Sequence, residues 1–256
     1  MRPSVAADVD SALGEQRRLD SVARLYRVSR KFGDQVALDD VTLTVEEGEF
    51  VCLVGHSGAG KTTLLNVINR QLRPTSGEVW VAGLAAHALA GRDLSQLRRR
   101  VATVFQDHKL LPELTAQENV AFAVRVTDVS STEAEANARA VEALDAVEMA
   151  ARAHALPRQL SYGQCQRVAL ARAIVSKPVL LLADEPTGNL DDKTADTIVA
   201  LLERIGERGT AIVLATHNLD VVRRLQKRVI RLAGGRVVED RPALAGAPCT
   251  LRLAQP

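Results

Sequence analysis

Cysteine is scarce in this 256-residue chain: Cys52, Cys165 and Cys249 stand far apart with no metal-ligand spacing. That excludes a disulfide scaffold or a zinc cluster as the organising device and fits a reducing cytosol. No run approaches the roughly 18 to 20 uncharged apolar residues that span a bilayer. Residues Met1 to Asp20 carry acids and an Arg17-Arg18 pair where a signal peptide needs an apolar centre. A soluble chain is expected. An excess of one charge is also lacking, because 33 basic and 31 acidic residues leave a net charge of +2 and a pI of about 8.5. So mild a balance does not argue for nucleic acid. What is present is 46% apolar residues, enough for one large domain with a real core.

Residues 1–22 are polar, alanine-rich and without a strong period, and read as an arm ahead of a folded domain over 23–241. The Pro-containing residues 242–256 read as a loosely held tail. Within the domain, Leu25 to Val28 and the alternating Val41, Leu43 and Val45 suggest half-buried sheet, and Phe50 to Val54 a buried strand. A helix is expected over Thr62 to Arg70, ended by Pro74, then a short strand around Glu78 to Ala82 between Gly77 and Gly83. The middle of the chain turns helical, from about Leu114 to Pro157. Ser130 with Glu133 offers a capping box, and Ala134 to Glu148 carries Val141, Leu144 and Val147 along one side. Apolar strands return at Val179 to Ala183 and Ala211 to Ala215, with a helix over Asp192 to Glu207 between them. A terminal hairpin is expected to turn at Ala233-Gly234-Gly235. Cys52 reads as core, Trp80 as sheet packing and Arg98-Arg99-Arg100 as a solvated basic face.

The residues from Gly55 to Thr62 satisfy GxxxxGKT between an apolar strand and a helix-compatible segment. Glycines let successive backbone N–H groups turn toward phosphate oxygens, and the positive end of the following helix favours the anion. Lys61 is placed to reach the β- and γ-phosphates, and Thr62 to offer its hydroxyl to Mg²⁺. Asp184 and Glu185 end a buried strand, and in open α/β sheets ligands gather beyond the carboxyl ends of strands. Taken alone, such acids are as readily a solvated pair. Beside a phosphate loop they suit Mg²⁺ for Asp184 and general-base work on water for Glu185. His217 follows another apolar strand, where a structural histidine and a γ-phosphate contact are both open. Gln106 has an amide able to coordinate Mg²⁺ or position water, or is ordinary polar surface. Spacing does not rank these two.

From Arg24 to Glu239 the motifs resemble, in order, those of the ATP-binding cassette (ABC) ATPases. The resemblance implies an α/β P-loop NTPase of ABC type: a RecA-like core, an N-terminal antiparallel β subdomain and an inserted helical subdomain over about 107–177. It implies ATP and Mg²⁺ as ligands. Phe32 falls where the family stacks adenine. The phosphate loop comprises Gly55, His56, Ser57, Gly58, Ala59, Gly60, Lys61 and Thr62, with Thr63 following. Gln106 matches the Q-loop, Leu160 to Gln164 the signature, Asn189-Leu190-Asp191 the D-loop and His217 the switch histidine. The metal-binding set implied is Thr62, Gln106 and Asp184, and the catalytic set Glu185, His217 and Gln106. A head-to-tail homodimer with two composite ATP sites is also implied, with Ser161, Gly163 and Gln164 serving the partner's γ-phosphate. The helical insert and the segment around Asp107 to Leu114 would meet a membrane subunit.

Within the family the wording is closest to bacterial cell-division members. These imply an integral membrane partner of FtsX type and a place on the inner face of the cell membrane. Lipoprotein-release and macrolide-export members share much of that wording. Soluble nucleic-acid ATPases of the superfamily are set apart by zinc knuckles, long heptad runs and a second cassette, which this chain lacks. One departure stands at a functional motif: Tyr162 replaces the first signature glycine, and Gln164-Cys165 follows it. Either the tyrosine crowds the dimer interface and leaves an ATP-gated binding module with weak hydrolysis, or it turns outward and changes little.

Overall fold

The computed structural model describes residues 21–243. Most of the expected arm and tail therefore lies outside the described residues, and Cys249 with it. The arm's last two residues are a correction: Ser21 pairs with Glu46 in a strand and Val22 is buried, so the domain already includes them.

A small antiparallel sheet, in the order β2-β1-β4, is built from β1 (Ser21–Phe32), β2 (Gln35–Glu46) and β4 (Ser76–Val81). The central sheet has the order β5-β6-β7-β3-β8-β9, with β3 (Phe50–Val54), β5 (Val101–Val104), β6 (Leu180–Asp184), β7 (Ala211–Thr216), β8 (Arg228–Ala233) and β9 (Arg236–Arg241). Its strands run parallel except for the β8–β9 hairpin, which turns at Gly234-Gly235 as expected.

Alternation along the parallel strands sorts their side chains into two cores, because successive Cβ atoms leave a strand on opposite faces. Val51, Leu53, Leu180, Leu182 and Val213 pack with the antiparallel sheet and α1 (Lys61–Ile68). Cys52, Val54, Leu181, Ala183 and Leu214 pack on the other face, in the core that also takes in the helical insert and α6 (Asp192–Glu207). Continuous apolar runs were needed at these strands because neither face meets water.

Between the two halves of the chain lie α2 (Arg92–Arg100), then the insert's helices α3 (Ala116–Thr127), α4 (Glu133–Ala146) and α5 (Tyr162–Ile174). The expected capping box is displaced by two residues. Ser130 donates instead to Asp128 Oδ1 at 2.6 Å, and Thr132 with Glu135 forms the box, with Thr132 N–H to Glu135 Oε2 at 2.8 Å. The buried line of α4 also differs: Ala136, Ala140, Ala143 and Leu144 face inward, while Val141 is exposed. Small residues at that spacing let the neighbouring helices approach closely. Trp80 is 37% exposed on the small sheet, its ring edge-on to His87 at 5.9 Å, and so is less a packing residue than expected. Among the described residues no helix is long and apolar enough to cross a membrane.

Candidate active site

The loop from Gly55 to Gly60 leaves the carboxyl end of the central strand β3 and enters α1. Gly60 stands at φ +106°, and a Cβ there would meet Ala37 O at 2.7 Å, so only glycine fits. Helix α1 then starts without a side-chain cap and without an acid in its first turn. Its first N–H groups are thereby left for an incoming anion. His56, Ser57 and Gly58 are exposed at the loop's crest, Ala59 is buried beneath it, and Thr62 and Thr63 follow on the helix. Lys61 is buried, its ammonium donating to Gly55 O at 2.8 Å and His56 O at 3.3 Å.

The loops after β6 and β7 bring the other expected residues to this edge. Lys61 Nζ lies 3.4 Å from Glu185 Oε1, and His217 Nδ1 lies 2.9 Å from the same oxygen. Glu185 therefore joins the phosphate loop to the end of β7. It adopts φ +48°, unusual for a residue with a side chain, while its N–H continues the β6–β7 ladder to Ala215 O at 2.9 Å. Asp184 precedes it. Its Oδ1 is buried with no hydrogen-bond partner, and burial pushes the carboxyl above the usual carboxylate range, opposed by the neighbouring Thr62 hydroxyl. An orphaned carboxylate oxygen beside a helix-borne hydroxyl suits a hard divalent cation. His217 is well exposed, with 69% of its side chain accessible, which leaves it free to meet a ligand from the solvent side.

Gln106 reaches this edge from the loop after β5. Its amide nitrogen lies 3.0 Å from where a Cβ on Gly188 would stand, and Gly188 closes the turn after Glu185 with an N–H to Glu185 O at 2.9 Å. Phe32, at the end of β1, is 43% exposed and has the Arg30 guanidinium 4.5 Å from its ring centroid. Its ring is thus an accessible, electron-rich stacking surface.

Ser161, Gly163 and Gln164 are not brought to the phosphate loop of the same chain by any hydrogen bond among the described residues. Ser161 caps α5: its side chain accepts from Gln164 N–H at 3.3 Å, and its own N–H donates to Gln164 Oε1 at 2.9 Å. The helix thus begins at Tyr162, directly after its cap. Tyr162 does not turn fully outward, being 37% exposed. It folds onto the Q-loop, where its hydroxyl donates to Gln106 O at 2.5 Å. Gln166 and Arg172, which help organise that loop, were given no role by the sequence reading, and His108 figured there only in the wording Phe105-Gln106-Asp107-His108.

Residues 38–188 match the family described as ABC transporter. The chain is 43% identical over 222 residues to the cell division ATP-binding protein FtsE of Mycobacterium tuberculosis, covering 87% of this chain and 94% of that one. It is also 43% identical over 222 residues to the methionine import ATP-binding protein MetN of Mesorhizobium japonicum, covering 86% of this chain but 60% of the relative. Among solved structures it is similar to the dimeric, post-hydrolysis ATP-binding cassette MJ0796 bound to ADP and Pi. That likeness has a TM-score of 0.79 at 38% identity, over 88% of this chain and 100% of the other. A phosphate loop, a strand-end carboxylate pair and a matching cassette structure converge on one conclusion: the chain belongs to the ABC transporter family and is an ATP-hydrolysing subunit of a transporter-type complex.

Proposed function

We propose that this ATPase works as an FtsE-like subunit, coupling ATP-driven closure of a homodimer to an integral membrane partner of FtsX type on the inner face of the bacterial membrane. The observation that carries the catalytic part is the shared oxygen of Glu185, within reach of both Lys61 and His217. In this reading Lys61 and the loop's N–H groups hold the β- and γ-phosphates, and Phe32 stacks the adenine. Glu185 accepts a proton from the attacking water as the water oxygen bonds the γ-phosphorus and the bond from that phosphorus to the β,γ-bridging oxygen breaks, ADP leaving with the bond electrons, while His217 holds the γ-phosphate and keeps the carboxylate oriented. Asp184, Thr62 and Gln106 would hold Mg²⁺, which neutralises phosphate charge when bound. Ser161, Gly163 and Gln164 complete the partner protomer's site.

The choice of a cell-division role rests on the FtsE relatives, which align along nearly their whole length at 42–43% identity. MetN aligns at similar identity over a smaller part of its length, and makes a methionine importer the competing assignment. In this reading the membrane partner meets an apolar groove of about 390 Å³ next to the Q-loop, whose lining includes Phe105, Leu111, Phe122 and Val126. Phe122 and Val126 are 44% and 59% exposed there. Co-purification from membranes decides between the partners: recovery of a four-span protein with one large extracytoplasmic domain supports the FtsX-type assignment, and recovery of an importer permease rejects it. For the chemistry, Glu185→Gln should retain ATP binding and lose about 10² to 10⁴ in turnover. Unaltered hydrolysis would remove Glu185 from its role as base.

A further inference from the structure

The loop after β5 folds in a way that exposes its own carbonyls. His108 and Lys109 both adopt left-handed φ values, +54° and +49°, so the chain here can neither extend the strand nor start a helix. The carbonyl groups of such a segment need partners from elsewhere. They come from one face of α5. Tyr162 O–H donates to Gln106 O at 2.5 Å, and Arg172 donates to His108 O at 2.6 Å and to Lys109 O at 2.5 Å. Gln166, buried one turn after Tyr162, meets His108 Nδ1 through its amide oxygen and reaches Phe105 O at 3.5 Å. The Tyr162 ring packs edge-on to the His108 imidazole, with centroids 4.0 Å apart.

We infer that Tyr162 is a positioning residue for hydrolysis: it latches the first turn of the signature helix to the backbone of Gln106, so that helix and Q-loop move as one body. A glycine at this position has no atom that could make the bond. The Gln106 amide sits against Gly188 in the turn that follows Glu185, so a shift of the loop displaces that amide relative to the carboxylate. The side chain that departs from the signature therefore couples the signature helix to the Q-loop. This inference rests on the proposed roles of Gln106 and the signature only for its effect on hydrolysis; the latch itself exists without nucleotide.

The test is amide hydrogen exchange over residues 105–109 of the full, nucleotide-free chain, compared with Tyr162→Phe and His108→Ala. Tyr162→Phe keeps the ring and removes the hydroxyl. Exchange should quicken about 2- to 10-fold, the worth of one net hydrogen bond, while the melting temperature stays within about 4 °C. His108→Ala removes the ring contact from the other side, and the double variant should show less than the product of the two effects, because both act on one latch. Basal ATP turnover then gives the functional readout: kcat for Tyr162→Phe should fall about 2- to 10-fold with KM for ATP unchanged within about twofold. Loop exchange unchanged in Tyr162→Phe, or independent effects in the double variant, would overturn the latch. Faster exchange with unchanged kcat would overturn its role in hydrolysis. A wild-type chain without ATPase activity would defeat the proposed function instead, and the exchange comparison would still decide the latch.

Discussion

Gly163, assigned by family resemblance to a partner's phosphate, also has a packing duty within its own chain, and the two can be separated. A Cβ built on Gly163 would stand 2.3 Å from Thr194 Cγ2 on α6, while its next neighbours, Leu190 Cδ2 at 3.6 Å and Thr194 Cβ at 3.7 Å, are at ordinary contact distance. One methyl group therefore carries the whole conflict. Gly163→Ala should cost about 1 to 3 kcal/mol for overpacking, offset by up to about 1 kcal/mol from replacing glycine within a helix. With the full offset the net loss is up to about 2 kcal/mol, which for a domain of this size lowers the melting temperature by up to roughly 8 °C. Thr194→Ser removes only that methyl. The hydroxyl that Thr194 donates to Asp191 Oδ2 at 2.6 Å, within the α6 cap, is retained. In the Thr194→Ser background the same glycine substitution should change sign and stabilise by up to about 1 kcal/mol, leaving the helix gain uncovered. Thermal and urea unfolding of the four proteins measures this. An equal loss in both backgrounds would refute the single-contact account. ATP-driven dimerisation of the repacked double variant then asks the separate question, since a backbone needed close to the partner's phosphate stays obstructed by the new Cβ.

Three further outcomes follow from the site and its supports. Asp184→Asn should abolish Mg²⁺-dependent turnover yet raise the stability of the nucleotide-free chain, because it removes a charge that burial disfavours. The sign is definite: a carboxyl whose folded pKa is raised loses stability as pH climbs from its ordinary value of 3.8 through the raised one. The gain should thus be full at neutral pH and shrink on acidification through that window in paired melts. Asp128 titrates in the opposite sense, held at about 2 by hydrogen bonds from Ser130 and Ser131, with a smaller contribution from Arg139. Its contribution to the α3–α4 connection is present above 3.8 and is lost as pH falls toward 2, so Asp128→Asn should speed local exchange there at neutral pH and change nothing in strong acid. Gly60→Ala should cost more than 1 kcal/mol and abolish nucleotide binding, read by fluorescent-nucleotide titration, since its Cβ would meet a backbone oxygen in a left-handed conformation. Retained affinity would contradict the cradle geometry.

Much of the fold was legible because its strands are buried on both faces. Phe50–Val54 and the helix Asp192–Glu207 appear with the bounds that apolar runs and helical spacing predict. Reading was poorer where short polar residues compete. Ser130 and Thr132 are equally good caps in isolation, and the Asp128 carboxylate that takes the Ser130 hydroxyl decides between them. Val141 on α4 misled for a related reason: alanine is silent on a hydrophobicity pattern, yet it is alanine that lies against the neighbouring helices.

For the site, residue types and spacing were enough to group Lys61, Asp184 and Glu185 at one sheet edge, because phosphate chemistry demands a helix N-terminus, a cation and carboxylates at strand ends, while His217 was singled out by the family resemblance alone. That logic is local, and each motif announces itself within a few residues. Tyr162 is different. Its significance depends on Gln106, 56 positions earlier, and on a left-handed turn at His108 that no local pattern encodes. A side chain that can point into an interface, into solvent or back onto its own chain is placed by whichever partner is within reach. Here a carbonyl of the loop after β5 supplied that partner, and only packing α5 against β5 put it there.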